Sequence, residues 1–296
     1  MIPHSYQPLV APAMPTRALW RLGAGILVIM AVYVGVMVAI GLSFAWWLGL
    51  DGLESALRNV PEAQDPVALL TLLGTFIGGW IGLAAALRAV HKRKLGSVMG
   101  RAPIVLRDFA LGVALMVVVG GGLSLFLVPM LPPIQVQTPP ETWFLFLVPA
   151  LLGILIQTGA EEAVFRGYIQ SQIAARFPAR IVWLVIPNIL FGLAHFSPDQ
   201  MGQNTWLVVL ATGMFGLYLS DLTARTGSLG LAWGLHFANN VIAILIVNIA
   251  GALNGLALLG FEDGTVTQNL VATLLIADLV IGFIVWVACR IWLRRR

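Results

Sequence analysis

The chain has 296 residues, of which 59% are hydrophobic and only 10% charged, with a mean hydropathy of +0.92. A soluble domain of this size has no interior large enough for so much apolar surface and needs more charge outside. A water-soluble globular protein is therefore excluded and a polytopic membrane protein implied. The net charge of +4 resides in short loops and gives no reason to invoke nucleic acid.

Residues 1–16 read as a flexible N-terminal tail, and 17–296 as a single transmembrane domain. A crossing takes about 20 apolar residues, and the sequence predicts eight, at about 18–48, 66–89, 109–130, 143–160, 180–196, 205–222, 227–250 and 268–292. The fold class expected is an all-α membrane bundle with both termini in the cytosol. The first span is too long for a cleaved signal peptide and follows a proline-containing tail with no charge before Arg17. It leaves room for an interfacial turn at Trp46-Trp47. The basic run His91-Lys92-Arg93-Lys94 reads first as a topology determinant and second as a contact for anionic lipid, and the Pro132-Pro133 and Pro139-Pro140 pairs mark an extended external loop. The fourth span is expected to continue past Glu161 as a helix projecting into the cytosol through Arg176. Cys289 lies in the last span, so no disulfide framework exists.

Loop charges test this count. With eight spans and cytoplasmic termini, every lysine and arginine except Arg58 falls inside. Asp51, Glu54, Glu62, Asp65, Glu141, Asp199, Glu262 and Asp263 fall outside. An odd number of spans scrambles the alternation.

Charged or titratable groups inside membrane helices are costly and need a partner or a function. Glu161 and Glu162 end the fourth span, and His195 and His236 lie in two later ones; a motif-bearing core thus runs over about 143–250. Glu162 and Arg166 are four apart, on one helix face, spaced for an ion pair. Glu161 is rotated about 140° from Arg166 and is left free to act as a base. Phe191 and His195 share a face, with Asn188 two turns earlier. His236 is followed by Asn239 and Asn240, and spacing does not choose between the two amides. Taken singly, the Glu-Glu-Arg group also reads as an interfacial cluster, and each histidine as an interhelical hydrogen-bonding residue.

These residue types suit peptide hydrolysis in two ways. In one, Glu161 and His195 activate water while His236 and Asn240 donate hydrogen bonds to the developing oxyanion. In the other, His195, His236 and Glu161 bind zinc with an open position for water. Glu162 and Arg166 orient their neighbours in both.

The motifs Glu161-Glu162-x-x-x-Arg166, Phe191-x-x-x-His195 and His236-x-x-x-Asn240, in this order and on separate spans, resemble the CPBP family. It comprises the type II CAAX prenyl endopeptidases and bacteriocin-processing proteins, also called Abi. The resemblance implies an intramembrane endopeptidase cutting near the cytoplasmic face, with Glu161 and His195 activating water and His236 and Asn240 stabilising the oxyanion. It also selects Asn240 over Asn239. Family members are often labelled metalloproteases, but the prenyl endopeptidases look metal-independent, and the version without zinc is the one expected here. Expected partners are membrane lipids and a hydrophobic or lipidated, including prenylated, peptide. The short loops suggest a bacterial cytoplasmic membrane.

Two other classes compete. A proton-coupled transporter would titrate Glu161, His195 and Asp278, although no inverted repeat is visible. A membrane scaffold would bind partner helices through the small-residue face Gly74-Gly78-Gly82. No His-Glu-x-x-His or Gly-x-Gly-Asp occurs, and Gly227-Ser228 is an incomplete rhomboid motif.

Overall fold

The computed structural model describes residues 2–248, 253–262 and 264–295. Asp263, Arg296 and the end of the seventh expected span lie outside the described residues. Among the described residues the architecture is helical apart from one short ribbon. In chain order the helices are α1 (Leu19–Glu62), α2 (Pro66–Ala89), α3 (Ala102–Met130), α4 (Pro140–Arg176), α5 (Arg180–Leu193), α6 (Thr205–Thr226), α7 (Gly230–Ile246) and α8 (Gln268–Arg294). Among the described residues, six spans are long and apolar enough to cross a membrane, while α5 and α7 are shorter apolar helices. Large apolar side chains such as Leu106, Phe126, Leu145 and Ile181 stand exposed on the outside. Glu162, Arg166 and His236 are buried within. That inversion of the soluble pattern is the one a lipid solvent imposes.

Several boundaries differ from expectation for local reasons. Helix α1 does not stop at Trp47 but resumes beyond Gly49, whose φ of 76° breaks the axis and is readily adopted only by glycine. The turns after the break reach Glu62, so a stretch expected as loop is helical. Helix α3 begins at Ala102, ahead of the expected 109, with a proline in its first turn, where the missing N–H costs nothing. Helix α4 runs unbroken from Pro140 to Arg176.

The two ends of the bundle are distinct. At one, β1 (Ile134–Val136) pairs antiparallel with β2 (Leu259–Phe261), and Leu253 N donates to Glu62 O. At the other, Leu229 N donates to Met99 O, and the N-terminal segment packs beside them.

That segment corrects the flexible-tail reading of residues 1–16. Residues 4–16 form consecutive helical turns, with Tyr6, Leu9, Val10 and Ala13 completely buried. Tyr6 lies 5.4 Å from the Trp183 ring, Ser5 donates to Ala224 O at 2.8 Å, and Arg93 reaches Leu9 O. His91 closes the region: Thr16 and Gln172 each lie 3.0 Å from its Nδ1, and Tyr168 OH lies 2.8 Å from its Nε2. Burial, with help from the Arg93 and Arg21 charges, pushes the His91 imidazole down to about 4, so it is neutral at physiological pH.

Glycines set the helix separations that place the site. A Cβ at Gly234 of α7 would lie 2.1 Å from Phe109 O of α3, so the two backbones touch. A Cβ at Gly82 would lie 2.9 Å from Ile29 Cα. The Gly78–Gly82 part of the proposed partner-binding face is therefore occupied by α1 within the same molecule. Asp278 is exposed on the outside of α8 and does not join Glu161.

Candidate active site

Helix α4 brings Glu161 and Glu162 to a point where its turns widen, with π-helical geometry over Ala163–Ile169. Such wide turns frequently mark functional sites. Helix α7 widens similarly over Ile242–Ile246, immediately after its Asn240 turn. The two altered stretches flank the polar residues of both helices.

Glu162 is fully buried and collects two partners. Its Oε1 accepts from His236 Nδ1 at 2.8 Å and lies 3.0 Å from Arg166 Nη1, the ion pair that their four-residue spacing permits. The Arg166 guanidinium, also fully buried, stands 4.2 Å over the Phe191 ring, which adds a cation–π attraction. Its far end is close to Gly216, where a Cβ would meet Arg166 Nη2 at 2.7 Å and Asn188 Oδ1 at 2.6 Å. Any larger residue at 216 displaces that group.

Glu161 is held differently. Its Oε2 is 3.5 Å from His236 Nε2, is buried, and makes no hydrogen bond among the described residues. The side chain keeps 14% exposure against none for Glu162. Glu162 takes both its partners on Oε1, and its Oε2, like that of Glu161, makes no hydrogen bond among the described residues. The two carboxylates differ in that Glu162 is sealed in an ion pair while Glu161 is partly exposed beside an imidazole.

His236 spans both carboxylates, one on each ring nitrogen, and is bordered by Phe215 and Phe191 at 5.9 and 6.1 Å between ring centres. His195 lies in the turn that ends α5. Its Nδ1 is 2.8 Å from Phe191 O, and a carbonyl only accepts, so Nδ1 carries the proton and Nε2 is the basic nitrogen of the neutral ring. The Phe191 ring is 4.8 Å from that of His195 and 6.1 Å from that of His236, and so touches both. Asn240 donates Nδ2 to Gln157 Oε1 at 3.0 Å, one turn from Glu161 on α4.

The fold therefore joins Glu161, Glu162, Arg166 and His236 directly, brings His195 in across Phe191, and sets Asn240 one turn away. Asn188, expected on the His195 face, instead donates to Ser220 Oγ at 2.8 Å. Sequence reasoning missed Gln157, although its place four residues before Glu161 on a polar stripe was the available signal. It also missed Trp80 and Trp233, which sandwich Gly159: a Cβ there would meet their rings at 2.8 and 2.7 Å. Among the described residues, no three His, Cys, Asp or Glu side chains converge as a metal-ligand set. The three residues of the zinc alternative, Glu161, His195 and His236, are not among any such set.

Fold and site together define a multi-pass helical membrane protein with a carboxylate–imidazole centre inside its bundle. Residues 141–242, from α4 to α7, match the model of the type II CAAX prenyl endopeptidase Rce1-like family, which supports a likeness to the CPBP/CAAX protease family. The uncharacterized protein YyaK of Bacillus subtilis (strain 168) is 28% identical over 109 residues, covering 37% of this chain and 36% of that protein. No solved structure matches the chain.

Proposed function

We propose that the protein is an intramembrane endopeptidase that hydrolyses a peptide bond of a membrane-associated, hydrophobic or lipidated substrate near the cytoplasmic face. In this reading the eight helices all cross the membrane, both termini are cytoplasmic, and the host membrane is a bacterial cytoplasmic one. The observation that carries it is the uncommitted Glu161 Oε2 beside the His236 imidazole. Glu162 takes the direct ion pair with Arg166, and the Glu161 oxygen that makes no hydrogen bond is the one available to remove a proton from water.

Glu161 and the basic Nε2 of His195 then activate the attacking water. The negative charge that develops on the substrate carbonyl oxygen is met by His236 and by the second amide N–H of Asn240, the first being held by Gln157. With Nδ1–H given to Glu162, a donor at His236 Nε2 requires the imidazolium form, whose charge the two carboxylates offset. Arg166 and Phe191 hold Glu162 and the imidazoles in register. No step uses a metal.

Purified chain in liposomes, offered a prenylated and an unprenylated hydrophobic peptide, tests this. Glu161→Ala and His195→Ala are each expected to be inactive, and a strong chelator to leave the rate unchanged. Full turnover by both variants would overturn the assignment of water activation.

A further inference from the structure

A second charged group, on α5, α6 and α8, lies at the end of the bundle nearest the N-terminal segment. Asp221 of α6 is 6% exposed and gathers three arginines from three helices. Arg180, at the start of α5, donates to Oδ1. Arg225, one turn on along α6, donates to Oδ2 at 2.8 Å. Arg290 of α8 places Nε 3.9 Å from Oδ2. Trp286 donates its indole N–H to Oδ2 at 3.1 Å, and the Arg290 guanidinium lies 4.8 Å over that indole.

One carboxylate cannot satisfy three guanidiniums. Each has five N–H donors, and the three side chains keep 47%, 30% and 27% exposure for Arg180, Arg225 and Arg290. Arg294, one turn beyond Arg290, adds to the positive field. Asp221 therefore fixes the cluster's geometry and leaves excess positive charge and free donors facing outward. That combination suits an anion with several oxygens, such as a phosphate.

The surroundings identify the rest of the ligand. Leu210, Met214, Leu217 and Asp221 follow i, i+4, i+7, i+11 and lie on one face of α6. The first three form one side of an apolar groove of about 430 Å³ whose other side is Val185, Ile189 and Leu193 of α5. Its near end, at Leu217, is one helical turn from the arginine-bearing carboxylate. A headgroup on the cluster thus leaves its chain directly over the groove. Trp286 and the exposed Ile181, next to Arg180, have the amphipathic and apolar character of the membrane interface.

We propose that this is a binding site for one anionic phospholipid, with its phosphate on Arg180, Arg225 and Arg290 and an acyl chain along the α5–α6 groove. Basic pockets between helix ends are suited to such headgroups. The site is separate from the Glu161 centre and does not rest on the peptidase reading. Because α5 carries His195 and α6 borders Arg166 at Gly216, an occupied groove braces two walls of that centre.

Native mass spectrometry of the full chain in neutral detergent, supplied with phosphatidylglycerol or phosphatidylcholine of the same chains, tests the proposal. Phosphatidylglycerol is expected to be retained at least about 10-fold more strongly, and Arg225→Gln/Arg290→Gln to lower its retention about 30-fold, from about 1 kcal/mol for each basic residue near an anionic lipid. Met214→Trp, which fills the groove and leaves the arginines intact, is expected to lose the lipid as well. Glycerol phosphate, a headgroup without chains, is expected not to displace it. Equal retention of the two lipids, or full retention by Met214→Trp, overturns the proposal; so does displacement by glycerol phosphate, which would reduce the site to a free-anion site. If the arginine variant fails to fold, the lipid preference of the unaltered chain and the Met214→Trp result decide the matter.

Discussion

Glu161 and Glu162 are neighbours in the chain, yet their surroundings predict opposite consequences for the same substitution. Glu162→Gln keeps the shape but removes the charge that faces Arg166 at 3.0 Å and His236 at 2.8 Å. Arg166 is fully buried, so it cannot turn to water, and it keeps only the Phe191 face and the more distant Glu161 charge. Breaking a buried pair from one side costs about 3–5 kcal/mol, and the retained cation–π contact, about 2 kcal/mol when desolvated, is common to both states. Glu162→Gln should therefore lower unfolding free energy by about 3–5 kcal/mol. Glu162→Gln/Arg166→Met, which removes both charges, should recover most of that loss. Glu161→Gln breaks only a 3.5 Å contact on a partly exposed side chain. Its stability should stay within about 1 kcal/mol of the parent, while turnover falls about 10²–10⁴-fold through loss of the base. Denaturant titration in mixed micelles, read beside peptide cleavage, measures both quantities. If Glu161→Gln unfolds early and Glu162→Gln does not, the division of roles is reversed and the reasoning fails.

Tyr6→Ala removes a fully buried ring packed at a tilt against Trp183 and should cost about 3–5 kcal/mol in the same titration; a free tail would show no change. The depressed His91 pKa makes stability depend on pH. The neutral ring is favoured in the fold, so its contribution is complete above about 6.5 and is lost as pH falls toward about 4. Unfolding midpoints measured across that window should decline in the parent and flatten in His91→Gln. Gly234→Ala inserts a Cβ against Phe109 O and should cost about 1–3 kcal/mol. Because it parts α3 from α7 two residues before His236, turnover should drop together with stability, and an unchanged rate would show that the α3–α7 contact does not position the imidazole.

What was legible in the sequence follows the range of the interactions. Six of the expected spans were readable because bilayer thickness acts on every long crossing alike, and the Glu162–Arg166 pair because a four-residue spacing is local. The continuation of α4 beyond Glu161 was readable for the same reason. The His236–Glu162 hydrogen bond joins residues 74 apart and depends on how closely α7 approaches its neighbours, which glycines at the contact decide. The N-terminal turns were misread because four prolines and no charge before Arg17 look like a tail. Their burial is conferred by Trp183, Ala224 and Arg93, none of them nearby in sequence. The helical turns after Gly49 were missed because a single glycine at positive φ redirected a helix where a loop was expected. Gln157 carried a local signal, its stripe with Glu161, but its role appears only when Asn240 faces it from another helix.

Hydrolysis of a hydrophobic peptide in water enriched in ¹⁸O, by the parent chain and by Glu161→Gln/His195→Gln, tests the central claim most directly. The account predicts an internal cut by the parent, one ¹⁸O in the new carboxyl group, no trapped covalent adduct, and no product from the variant. An acyl-enzyme adduct, or undiminished cleavage by the variant, would contradict it.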